Sequence, residues 1–219
     1  MKQRYTFSRA EFALGSHAND FQISQDGNFI IISDASILGK TPALVVYDVQ
    51  NNTARRLLEQ HESVVAGKFE PVVQGRKMTI FGLFTVNPGV DGLVLDANND
   101  YLYYASISAD KLYRIPYANI IDTNLSNDEL SATVEVVAEK TMTDGMAMDP
   151  QGNVYLSDLE HSAIVRMLPS GELQTLLKQN NPVEENKTLE QKIKRFRTVS
   201  SSIQIIEQYF SVESIKKFS

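Results

Sequence analysis

The chain has 219 residues, a formal net charge of −6 with a pI near 5.1, and no cysteine. That length accommodates a substantial core in one or two domains. The acidic balance argues against a phosphate-binding surface, so no nucleic-acid role is expected, and without cysteine there is neither a disulfide framework nor a thiolate ligand for zinc.

Met1-Lys2-Gln3-Arg4 leads into Tyr5-Thr6-Phe7-Ser8-Arg9 without an apolar run. The sequence as written therefore predicts neither a secretory signal nor a membrane span. Residues 4–14 read as a strand and connector from a unit whose partner strands are missing, because Tyr5 and Phe7 alternate with polar neighbours. A first full unit follows: strand Asp20–Ser24, turn Asp26-Gly27-Asn28, strand Phe29–Ser33, strand Ala43–Val49, turn Asn51-Asn52, strand Thr53–Leu58. Phe29–Ile32 and Leu44–Val46 are apolar enough to be buried on both faces.

Residues 60–89 form a long connection with a hairpin near Gln74-Gly75-Arg76, a strand over Met78–Phe84 and a turn at Asn87-Pro88-Gly89. The second unit runs from Asp91 through the strands 91–96, Tyr101–Ala105 and Lys111–Pro116. A loop over Ala118–Ala132 has capping-box spacing at Ser126 and Glu129, and Val134–Ala138 is the fourth strand. Tyr101, Tyr103, Tyr104 and Tyr113 are expected to pack across strands.

The third unit reads Gly145–Asp149, turn Pro150-Gln151-Gly152-Asn153, Val154–Ser157, Ala163–Leu168, turn Pro169-Ser170-Gly171, Leu173–Leu177. From about Gln179 the period changes: Leu189, Ile193, Phe196, Val199, Ile203, Ile206 and Phe210 recur by threes and fours, as on one helix face. Three repeats of a four-stranded meander predict an all-β fold, a partial β-propeller over residues 1–178, with a divergent helical tail over 179–219. A generic antiparallel sandwich is the competing reading.

In a propeller the innermost strands converge on an axis. Asp20, Asp91 and Asp144, with Asn19 beside the first, then meet at one mouth of it. Carboxylates that close repel unless a cation or a polar ligand holds them, and an oxygen-only set favours Ca²⁺ over zinc. The other reading is that these aspartates cap turns. Asp158, Glu160 and His161 cluster in one turn, as a proton-transfer group or a hydrogen-bonded turn. His17, His61 and His161 show no metal-protease spacing, and the chain has no Walker A, G-x-G-x-x-G or G-x-S-x-G motif.

Taken as an ordered set, several stretches resemble bacterial members of the Yellow/major royal jelly protein family, described as dopachrome-tautomerase-related. They are Asn19-Asp20; Leu44-Val45-Val46-Tyr47-Asp48 with Ala54-Arg55-Arg56-Leu57-Leu58; Gly89-Val90-Asp91-Gly92; Leu102-Tyr103-Tyr104 with Lys111–Pro116; and Asp144–Asp149 with Asp158-Leu159-Glu160-His161. The resemblance covers about Tyr5 to Lys178. It implies a six-bladed propeller, commonly exported to an extracellular or periplasmic space, that binds small amines, pigment precursors or other ligands.

The related gluconolactonase or regucalcin type carries a divalent metal on the axis. By that likeness Asp144-Gly145 matches one metal ligand pair, Asp91-Gly92 has Asp where that group has Asn, and Asn19 matches a substrate-contacting Asn; a glutamate ligand has no counterpart. About three of six blades are recognisable. The resemblance therefore implies a small-molecule binder in truncated, inactive form, with Asn19, Asp20, Asp91 and Asp158 as ligand contacts. The alternative is a Ca²⁺-dependent lactone hydrolase or tautomerase with Asp91 and Asp144 on the metal and Asp144 or His161 as catalytic candidates. Exposed edge strands predict self-association.

Overall fold

The computed structural model describes residues 4–178 except 68–71, 74, 75, 78, 81–83 and 86. Three four-stranded antiparallel sheets dominate it. The first contains β1 (Ala18–Ile23), β2 (Phe29–Asp34), β3 (Ala43–Asp48) and β4 (Thr53–Leu57), paired in chain order. Two-residue ladders follow: β5 (Val72–Val73) with β6 (Arg76–Lys77), and β7 (Thr79–Ile80) with β8 (Phe84–Thr85). The second sheet holds β9 (Val90–Leu95), β10 (Tyr101–Ser106), β11 (Lys111–Pro116) and β12 (Glu135–Glu139); the third holds β13 (Met146–Met148), β14 (Val154–Asp158), β15 (Ala163–Met167) and β16 (Leu173–Lys178).

Turn chemistry fixes each meander. Between β1 and β2, the Asp26 carboxylate accepts from the Asn28 N–H (3.0 Å) and the Ser24 hydroxyl (2.6 Å), and Gly27 takes a φ of 71° that a side chain would resist. Asp149 closes the β13–β14 turn in the same way, accepting from the N–H groups of Gln151 (3.0 Å) and Asn153 (2.9 Å).

The sheets stack through their alternating faces. Leu93 on β9 joins Ile31, Leu44 and Val46 of the first sheet in one buried cluster, whereas its neighbour Val94 joins Met146, Leu156 and Val165 of the third. The middle sheet is thus covered on both sides, which is why β9 and β10 read as nearly continuous apolar runs. A leucine buried as fully as Leu93 is worth about 1.5–3 kcal/mol of transfer free energy. The innermost strands β1 and β13 both pack on β9, the radial arrangement of propeller blades.

Several expectations hold in detail. Ser126 and Glu129 form a reciprocal capping box on α2 (Asn127–Ser131), and Tyr104 stacks on its cross-strand partner Tyr113 with ring centroids 6.1 Å apart. Others need correction. No strand forms among residues 4–14: the Glu11 carboxylate closes a turn by accepting from the Ser8 N–H (2.6 Å), and Tyr5 and Phe7 lie on Tyr47 with ring centroids 4.8 and 6.3 Å away. With no strand to pair with, this segment is held by ring packing instead. Of the strands expected to be buried on both faces, β3 is, but Ile30 and Ile32 of β2 are half-buried beneath that aromatic segment. The strand expected over Met78–Phe84 is two short paired pieces, β7 and β8. A one-turn helix, α1 (Tyr117–Ile121), was not expected; buried Tyr117 and Ile120 anchor it to the core. The C-terminal tail lies outside the described residues.

Candidate functional site at the axial mouth

The innermost strands bring Asp20, Asp91 and Asp144 together, as their recurrence predicts, and give each a different environment. Asp20 sits in β1 with both carboxylate oxygens engaged by backbone: Oδ1 accepts from the Phe21 N–H at 2.8 Å, and Oδ2 from the Leu93 N–H at 3.3 Å. β9 pairs with β10 on one edge only, so the Leu93 N–H faces the axis, and Asp20 supplies the acceptor that it otherwise lacks. Burial raises the Asp20 carboxyl, these N–H donors lower it, and the nearby Asp144 charge raises it again.

Asp91 is 2% exposed. Burial, then the charges of Asp144 and Asp20, push its carboxyl up to about 8, and it hydrogen-bonds to Asp144. Asp144 is also raised by burial, offset by that bond. Two neighbouring carboxyl groups resist ionising together, and the effect falls hardest on the more buried Asp91. Gly92 permits the approach: a Cβ there would lie 3.3 Å from the Asp144 carbonyl oxygen and 3.4 Å from Met146 Cε.

Buried serines hold the aspartate backbones. The Asp20 N–H donates to Ser33 Oγ (2.9 Å), and the Asp144 N–H donates to Ser157 Oγ (3.1 Å). Ser33 and Ser157 stand next to last in equivalent second strands and are fully buried. Sequence reasoning missed both, although the repeated Ser33-Asp34 and Ser157-Asp158 pairs were a readable signal.

The aspartates of those pairs diverge. Asp34 accepts from Ser16 Oγ (2.6 Å), the His17 N–H (2.7 Å) and the Ser36 N–H (3.0 Å), and pairs with Arg56 Nη1 at 2.7 Å. Asp158, equally buried, accepts from the His161 N–H (3.0 Å) and faces His161 Nδ1 (2.8 Å). Asn19 is placed elsewhere. Strand alternation turns it away from Asp20 into a groove of about 410 Å³ with Tyr5, Phe7, Phe21 and Tyr47.

Among the described residues, no group of three or more His, Asp or Glu side chains is arranged to hold a metal ion. The donor chemistry of Asp91 and Asp144 suits a hard cation, but Ca²⁺ takes six to eight oxygens. Both Asp20 oxygens already accept from backbone N–H groups, so Asp20, Asp91 and Asp144 alone do not supply a Ca²⁺ shell.

The sequence matches the family described as major royal jelly protein over residues 13–206. The chain belongs to that family. The family match runs past Lys178 into residues outside the described part. No curated protein sequence matches the chain.

Among solved structures, it is similar to a protein in a nidogen/laminin complex, at 11% identity and a TM-score of 0.50, covering 77% of this chain and 51% of that one. A gluconolactonase from Xanthomonas campestris aligns at 12% identity and a TM-score of 0.48, over 79% of this chain and 51% of that one. A luciferin-regenerating enzyme aligns at 11% identity and a TM-score of 0.49, over 78% and 49%. The chain thus spans about half the length of these solved structures.

Proposed function

We propose that this member of the major royal jelly protein family binds a small molecule carrying a cationic amine, held at the axial mouth by Asp91 and Asp144. The observation that carries the reading is the convergence of buried Asp91 with half-buried Asp144 and Asp20, each raised above the ordinary carboxyl range by burial, Asp91 further by its neighbours' charge. An ammonium group that arrives there supplies a positive charge against which both carboxylates ionise. Asp20 adds negative potential from the neighbouring strand.

Titration calorimetry with tyramine in EDTA tests the reading. Saturable binding is expected, with about one proton released per ligand, seen as an observed heat that changes with the ionisation enthalpy of the buffer. Asp144→Ala is expected to abolish it. Absence of saturable binding by the wild-type protein overturns the reading.

The competing proposal is a Ca²⁺-dependent lactone hydrolase or tautomerase, in which Asp91 and Asp144 ionise to hold the ion and water oxygens complete its shell. A melting temperature raised by millimolar Ca²⁺, together with lactone turnover lost in EDTA, would favour it.

A further inference from the structure

The turn that follows β4 carries a histidine whose tautomer is decided by its own neighbours. The Ser63 N–H points at His61 Nδ1 from 3.2 Å, so that nitrogen is an acceptor and the ring proton sits on Nε2. The Ser63 hydroxyl, 2.8 Å from the same nitrogen, therefore donates to it. Its oxygen in turn accepts the Tyr104 hydroxyl at 2.8 Å. A directed chain of hydrogen bonds runs from Tyr104, 0% exposed, through Ser63, 1% exposed, to a half-buried imidazole.

The same turn holds the start of β9. The N–H groups of Val64 and Val65 donate to the His61 carbonyl (3.0 and 3.2 Å), which curls the segment and presents the Val64 carbonyl to the second sheet. That carbonyl accepts the Val90 N–H (2.8 Å) and the Ser106 hydroxyl (3.0 Å), and Gly89 comes so near that a Cβ there would lie 2.7 Å from it. Val90 immediately precedes Asp91. The imidazole is thus joined by short hydrogen-bonded steps to the strand that carries the most buried carboxyl of the mouth.

We propose that His61 is a proton-sensitive latch on this turn: acidification puts a proton on Nδ1, the turn loosens, and the start of β9 loses its anchor. The inference stands apart from the ligand reading above. A proton on Nδ1 meets the Ser63 N–H as a second donor and turns the Ser63 hydroxyl away from the ring. Two bonds that close the turn are then lost together, at a buried serine with little water to replace them. Glu59 is engaged by Arg56, and Glu62 lies exposed in the turn. Tyr104 from β10 and Tyr113 from β11 are held protonated by burial, Tyr113 also by the charges of Glu62 and Asp110. Of these side-chain types, imidazole is the one that changes charge on mild acidification.

Amide hydrogen exchange at pH 8 and pH 5, expressed as protection relative to an unstructured chain, tests the latch. In the wild-type protein Ser63 and Val90 are expected to lose protection by about tenfold on acidification. His61→Asn supplies an acceptor that takes no proton, because an asparagine side chain accepts the N–H two residues on in the same way. It is expected to keep protection at both values. Asp91 gains its proton over the same interval, which firms the fold and so has the opposite sign. Lys140, pushed down to about 7 by burial, also gains one and weakens the fold, but equally in both proteins.

Wild-type protection that is equal at the two values overturns the inference, as does a loss of the same size in His61→Asn. If that variant does not fold, nitrogen-15 NMR of the wild-type ring decides. Nδ1 is expected to be an unprotonated acceptor at pH 8, and ring protonation and Val90 exchange are expected to share one midpoint. Separate midpoints, or a proton on Nδ1 at pH 8, overturn it as well.

Discussion

Gly92 lies against Asp144: a methyl group on its α-carbon would approach the Asp144 carbonyl oxygen to 3.3 Å. The contact is where the second and third sheets meet at the axis, and it sets how closely Asp91 can approach Asp144. Gly92→Ala is expected to shift β13 by a few tenths of an ångström and to destabilise the fold by about 1–3 kcal/mol. Urea unfolding reads the loss, and carboxyl-carbon NMR reads whether the Asp91 ionisation moves down from about 8. An unchanged ionisation would show that the pair is set by other contacts.

The raised Asp91 carboxyl makes a signed prediction for pH. Its folded-state pKa of about 8 lies above the ordinary value of about 4 in the unfolded chain. Between these values the native state binds more protons than the unfolded one. The contribution of Asp91 to stability is therefore fully present below about pH 4 and is lost as pH rises toward 8. Asp91→Asn removes the ionisation, so stability at pH 8 is expected to rise relative to wild type, by an amount on the order of a few kcal/mol in urea unfolding. A variant less stable than wild type at both pH 5 and pH 8 would contradict this.

Arg56 and Asp34 form an ion pair at 2.7 Å with side chains 8% and 0% exposed. Arg56 also donates to the Glu11 carbonyl at 2.8 Å, which ties the N-terminal segment to the first sheet. Arg56→Ala leaves a carboxylate buried without its cation and is expected to cost about 3–5 kcal/mol in chemical denaturation. Asp34→Asn in the same background is expected to recover part of that loss, since the uncompensated charge goes with it.

The Tyr104 hydroxyl donates to Ser63 Oγ at 2.8 Å inside the core. Tyr104→Phe keeps the packing and removes the bond, for an expected loss of about 1 kcal/mol. A loss above about 3 kcal/mol would mean that the hydroxyl organises the segment around Ser63 rather than merely satisfying it.

Phe21 and Ile23 on β1 are 56% and 53% exposed. Together they give the first sheet an apolar face that association of two copies would cover. Light scattering is expected to show a mass that rises with concentration, and Phe21→Ser with Ile23→Ser is expected to suppress the rise. A mass that stays monomeric across concentrations would remove self-association from consideration.

Local chemistry makes most of the strands legible in the sequence. Asp26-Gly27-Asn28 and Pro150-Gln151-Gly152-Asn153 mark turns because their side chains and φ preferences act within a few residues. Period-two alternation in Ala163–Met167 likewise depends only on the pleat. Residues 4–14 alternate in the same way yet form no strand, because a strand needs a partner edge and alternation alone does not supply one. The helix at Tyr117 is invisible to sequence patterns for a related reason: at five residues it is held by the burial of Tyr117 and Ile120, which spacing does not report.

The candidate site divides along the same line. Sequence alone determined that three aspartates recur at the starts of innermost strands, because a repeat is a property of the chain and needs no coordinates. Only the tertiary structure decided that Asp20 caps the Leu93 N–H while Asp91 is set against Asp144. Only it turned Asn19 away from all three, gave Asp34 an arginine, and gave Asp158 a histidine. Identical residue types at equivalent positions acquire different chemistry from what packs beside them, since desolvation and neighbouring charge fall off over a few ångströms in space and take no account of separation along the chain.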